Sequence, residues 1–171
     1  MSPVTRLLFG IVACFSSGIP VSAQDMTTTA GPEDEFPGWA EPLEMQAAGS
    51  SADLSSANLI VGQTALISLL PDTEVAYPHT PGKRGSSASH AGLFQVRITE
   101  PGTYRVALGA GGWIDIVTHG HAMVATGHSH GPEGSTGIRK IIDYNLKPGR
   151  YIVQIAANEE PRTTILIVRS R

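Results

Sequence analysis

From Leu59 to Arg169 apolar and polar residues alternate in short runs. Tyr104-Arg105-Val106-Ala107-Leu108 and Tyr151-Ile152-Val153-Gln154-Ile155 send successive side chains to opposite faces of an extended chain. The pattern predicts strands near residues 59–61, 64–70, 91–98, 103–108, 113–118, 122–126, 138–146, 150–156 and 163–169. These runs are rich in β-branched residues and bounded by Gly, Pro and Asn. No segment carries a sustained helical repeat flanked by caps. Short strands at such spacing predict an all-β fold, an antiparallel β-sandwich of jelly-roll type spanning residues 59–171.

Two segments are near copies. Glu100-Pro101-Gly102-Thr103-Tyr104-Arg105-Val106 matches Lys147-Pro148-Gly149-Arg150-Tyr151-Ile152-Val153. Pro and Gly suit the two central positions of a turn. The Tyr then enters a strand with its hydroxyl able to bond back to the turn, a tyrosine corner. His119-Gly120 stands where a hairpin would carry Asn-Gly. Gly109-Ala110-Gly111-Gly112 joins two strands with no helix to follow. It is therefore expected as a close-packed connection and not as a phosphate-binding loop.

Residues 1–23 read as a secretory signal peptide, with Arg6, an apolar run from Leu7 to Phe15, and Val21-Ser22-Ala23 before the cut. The apolar run is too short for a transmembrane helix. Ile11-Val12-Ala13-Cys14 offers a second export reading, a lipid anchor on Cys14. The export signal places the chain in the periplasm or outside the cell, and cleavage after Ala23 leaves no cysteine, which excludes disulfides and thiolate ligands. Residues 24–80 hold nine acids and no Lys or Arg, whereas residues 81–171 hold six acids and eleven bases. Residues 24–58 read as an acidic, partly ordered leader, stapled to the body by Phe36, Trp39 and Leu43. A formal net charge of −3 gives no reason to expect nucleic acid.

Four of the six His lie between residues 119 and 130. One ion cannot hold both H-x-H pairs, because seven extended residues put His128 roughly 23 Å from His121. If consecutive strands from Ala91 reverse, the tight turns 99–102, 119–120 and 147–149 share one end. The long loops 78–90, 109–112, 127–137 and 157–162 share the other. That second end carries His79, His90, His128 and His130, with Glu133, Glu159 and Glu160 as carboxylates and Lys83, Arg84 and Arg139 as cations. Binding loops have this irregular, Gly-rich character. Alternate residues on an extended segment face the same way, so His128 and His130 can address one ion, completed by His90, His79 or Glu133. Neutral imidazoles and oxygens suit Zn, Cu(II), Ni or non-haem Fe(II), and affinity falls below about pH 6.5 as imidazoles protonate. Trp113 is expected in the core, or else as a stacking platform for a sugar. The residues thus point to non-catalytic capture of a metal ion or small ligand, with a carbohydrate- or protein-binding accessory module as the alternative.

Gly127-His128-Ser129-His130-Gly131-Pro132, Gly137-Ile138-Arg139-Lys140, Leu146-Lys147-Pro148-Gly149-Arg150-Tyr151 and Pro37-Gly38-Trp39-Ala40-Glu41-Pro42 resemble a family of small secreted bacterial β-sandwich proteins often labelled homogentisate 1,2-dioxygenase. That resemblance implies Fe(II)-dependent ring cleavage, with His128, His130 and Glu133 as the two-His, one-carboxylate set. The C-terminal half also resembles, more distantly, β-sandwich modules appended to secreted peptidases.

Overall fold

The computed structural model describes residues 36–131 and 137–170. The expected signal, with Cys14, and the start of the expected leader lie outside the described residues, as does Glu133. The strands are β1 (Leu43–Gln46), β2 (Asn58–Leu59), β3 (Ala65–Ser68), β4 (Leu70–Pro71), β5 (His90–Ile98), β6 (Gly102–Leu108), β7 (Trp113–Thr118), β8 (His121–Ala122), β9 (Gly127–Ser129), β10 (Lys140–Leu146), β11 (Gly149–Asn158) and β12 (Arg162–Arg169). Two short 3₁₀ turns, Ser51–Ser56 and Asp72–Glu74, are the helical pieces among the described residues.

The strands form the two packed sheets of an all-β sandwich. One runs β1-β3-β12-β6-β10-β9, the other β2-β5-β11-β7-β8 with β4 beside β5. The central pairings are antiparallel, as expected, while β1 with β3 and β2 with β5 are parallel. Inner-facing Val96, Ile98, Val106, Leu108, Ile116, Val153, Ile165 and Ile167 interlock between the layers. A second cluster covers the outer face of the first sheet. Phe36 is 1% exposed there, against Ala107, Ile138, Ile141, Leu166 and Val168, with Trp39 packed beside them. The leader is thus built into the body from Phe36 onward. Leu43, at 57% exposed, is not a staple.

Both tyrosine corners form. Tyr104 Oη donates to the Glu100 carbonyl at 2.8 Å, and Tyr151 Oη to the Lys147 carbonyl at 3.0 Å. His119 and Gly120 both take positive φ, +49° and +78°, the signature of the tight hairpin turn between β7 and β8. The strand expected over 122–126 differs. β8 ends at Ala122, Met123 N still bonds the Ile116 carbonyl of β7, and the chain then passes Val124, 84% exposed, and joins the other sheet as β9.

Candidate functional site

Strand pairing fixes the ends of the barrel-like sandwich. β5, β7, β10 and β12 run one way, and β6, β8, β9 and β11 the other. Turns 99–101, 119–120 and 147–148 therefore share one end, and the connections 109–112 and 159–161 share the other with the end of β9 and the start of β10.

At the loop-rich end β9 is the edge strand of its sheet and pairs with β10, His128 opposite Ile142 and Ser129 opposite Ile141. Gly127 admits this pairing because a Cβ there would lie 2.8 Å from Asp143 Oδ2. That carboxylate is occupied by Arg105 Nε at 3.3 Å. His128 on β9 and His130, the residue just after it, are alternate positions of an extended segment, with ring centroids 5.9 Å apart at 68°. Both are exposed. His130 Nδ1 lies 3.2 Å from the Arg139 carbonyl. A carbonyl only accepts, so Nδ1 is the donor in this contact, and a neutral ring held this way keeps its lone pair on Nε2. Metal-ligating imidazoles are oriented by this kind of backbone contact. Two imidazoles on one tetrahedral ion, with bonds of ~2.1 Å, stand about 5 Å apart between centroids, so a modest side-chain rotation closes the gap.

The other expected ligands are not gathered there. His90 Nδ1 faces the Glu159 carbonyl at 3.3 Å, beside β11. It shares the end with the pair but sits in the other sheet, three strands in from that sheet's β8 edge. His79 is placed differently from the expectation. Its Nδ1 faces the Gly120 carbonyl at 3.2 Å, at the tight-turn end. The segment after the second 3₁₀ turn runs away from the loop end before returning, and chain reversal could not reveal that because the segment is not a strand. Among the described residues no three His, Cys, Asp or Glu groups converge on a point.

The same end holds a cleft of about 600 Å³, lined by Trp39, Lys83, Arg139, Glu159, Glu160 and Arg162 over a floor of Gly109-Ala110-Gly111. The sequence sorted the segment of Arg162 to this end and named four of the other charged groups there, but neither Trp39 nor Arg162. Arg162 is held by Glu44 at 2.6 Å, a pairing of leader with body that the acid–base division foreshadowed. The Gly109–Gly112 connection is close-packed only in part, since Gly111 has nothing within 4 Å of a Cβ position. A Cβ on Gly112 would meet Asn158 Oδ1 at 2.7 Å. At the bulge in β11, Ala157 takes φ +52° and turns toward this cleft.

Trp113 is not in the core. It lies on the outer face of its sheet, 36% exposed, and donates from Nε1 to Asp115 Oδ1 at 2.9 Å. Gly82 closes over its ring, and Lys140 Nζ stands 6.0 Å from the ring centroid. The Lys140 ammonium is tied to the Gly112 carbonyl. Burial, and then repulsion from Lys83, hold it below the usual lysine range. Lys140 thus donates its ammonium to the Gly112 and Gly111 carbonyls beside the Trp113 ring.

No protein-family model and no curated protein sequence matches the chain. The resemblance to the dioxygenase-labelled family therefore finds no support there. Among solved structures, the chain is similar to a pre-peptidase C-terminal domain of collagenase from Bacillus anthracis, at 12% identity and a TM-score of 0.37 over 65% of this chain and 92% of that one. It is also similar to part of a β-glucosidase from Paenibacillus barengoltzii, at 16% identity and a TM-score of 0.31 over 74% of this chain and 13% of that one. Likenesses this distant do not bear on what the chain binds. No helix among the described residues is long and apolar enough to cross a membrane.

Proposed function

We propose that this chain is an exported, non-catalytic β-sandwich that captures a divalent transition-metal ion on β9 through Nε2 of His128 and His130. The observation that carries the reading is the pair's geometry. The rings stand 5.9 Å apart on one face, and the Arg139 carbonyl fixes the His130 tautomer. Zn(II), Cu(II) and Ni(II) suit imidazole ligands. His90 and His79 play no part in this set. Titration of Zn(II) into the metal-free protein tests it. Wild type takes up the ion, and His128→Ala/His130→Ala does not; equal uptake by both sinks the proposal. Export is tested by sequencing the protein recovered from outside the cytoplasm, which begins at Gln24 if residues 1–23 are removed.

One observation favours a second reading. The cleft beside the pair joins an indole, two carboxylates and unlike charges, a lining suited to a small polyol such as a sugar. Titration with soluble glycans, followed by tryptophan fluorescence and compared with Trp39→Ala, checks it.

A further inference from the structure

We propose that the metal site is completed by a second copy of this chain, with two β9 edges pairing antiparallel about a two-fold axis at Ser129. This rests on the metal-capture reading above and goes further, because it names the remaining ligands. Each chain brings two imidazoles on one face, and among the described residues no third His, Cys, Asp or Glu joins them. A closed tetrahedral site takes four ligands, and a two-fold axis doubles two.

The fold supplies the surface. β9 is bonded to β10 on one side and is the last strand of its sheet on the other. An exposed edge is a template for another strand. Pairing centred on Ser129 sets His128 directly opposite the second copy's His130, and the reverse. Side chains opposite each other share a face, with Cβ atoms ~5 Å apart across the ladder. Residues two apart on one strand are ~6.6 Å apart. Four imidazoles thus stand at the corners of one small patch, within reach of a single ion at its centre. A slip of one residue would put serine opposite histidine and split the patch, so the ion itself selects the register. Both His are exposed in the single chain, so nothing has to unfold to expose them.

The test is the mass of the full chain in solution, by light scattering after size exclusion, with EDTA or with Zn(II), alongside the Zn(II) stoichiometry. The expected result is a monomer in EDTA, a doubled mass with Zn(II), and one ion per two chains. His128→Ala/His130→Ala stays monomeric under both conditions. One ion per chain with no change in mass overturns the two-copy site while leaving metal capture standing. No uptake at all removes both. A dimer that persists in EDTA and in the double variant overturns the metal bridge.

Discussion

Phe36 offers a demanding test of how the leader belongs to the body. Its ring is 1% exposed against Ala107, Ile138, Ile141, Leu166 and Val168 on the outer face of a sheet. Replacing it with Ala returns on the order of 100 Å² of apolar contact to water, roughly 2.5 kcal/mol. The hollow left behind raises the cost toward the usual range of about 3–5 kcal/mol. Phe36 lies on the outer face of a sheet, where neighbouring side chains can close part of the hollow, so the lower end of that range is expected. At about 1.5 kcal/mol per molar, the urea midpoint falls by roughly 2 M. Leu43→Ala is the control. At 57% exposed, Leu43 should cost within about 0.5 kcal/mol. Equilibrium urea unfolding followed by fluorescence reads both. A Phe36→Ala midpoint indistinguishable from that of Leu43→Ala would refute the claim that the leader is part of the core. The same variant reaches the candidate site. Ile138 and Ile141 flank Arg139, whose carbonyl orients His130, so Phe36→Ala is expected to weaken Zn(II) binding as well.

Tyr104→Phe removes one corner bond and costs about 1 kcal/mol in urea unfolding; Tyr151→Phe removes two, the bond donated to the Lys147 carbonyl and the one accepted from Lys147 N, and costs about 1–2 kcal/mol; the double variant costs their sum because the corners lie in different sheets. Gly112→Ala drives a Cβ to 2.7 Å from Asn158 Oδ1, which is itself buried, and costs about 1–3 kcal/mol; Gly111→Ala meets nothing within 4 Å and is neutral or slightly stabilising in thermal unfolding. The Tyr144 phenol is held above its usual range by burial and then by the Asp115 charge. A raised folded pKa means that the stability it lends is whole below about pH 10 and is lost as pH climbs beyond that. Tyr144→Phe loses the bond donated to the Ile114 carbonyl and so is less stable at neutral pH, yet it loses stability less steeply on the alkaline side. Lys140 acts with the opposite sign, so the difference between the two proteins is the quantity to measure.

The turns and the strand periods of this fold were legible because each is set by adjacent residues. Pro-Gly followed by Tyr states its own hydrogen bond, and His119-Gly120 states its own φ values. β1 and β9 were not legible as strands. Leu43–Gln46 holds only two apolar residues, and its order comes from lying parallel to β3, a partner far along the chain. Gly127–Ser129 reads as loop because a Gly and a Ser flank a single His. It becomes strand because Ile141 and Ile142 offer an edge and Asp143 leaves room for Gly127. Trp113 was misplaced because alternation says which residues share a face, not which face is inner. Ile114 and Ile116 take the core, so Trp113 faces out.

The histidines show what a rule about ends can and cannot do. Chain reversal puts His90, His128 and His130 at one end, and the strand directions agree. An end of a sandwich is nonetheless two sheets wide and several strands long. Its lateral order is set by which strands pair, and that depends on contacts distant in sequence. Here β5 is three strands in from β8 at the edge of one sheet, while β9 closes the edge of the other. At ~4.8 Å per strand and ~10 Å between sheets, His90 stands well beyond the reach of an ion held by bonds of ~2.1 Å. His128 and His130 escape this uncertainty because their spacing is local. Two residues apart on one strand face the same way wherever the strand is docked, and only the docking of β9 at an edge turns that local pair outward, where a further ligand has to come from another molecule.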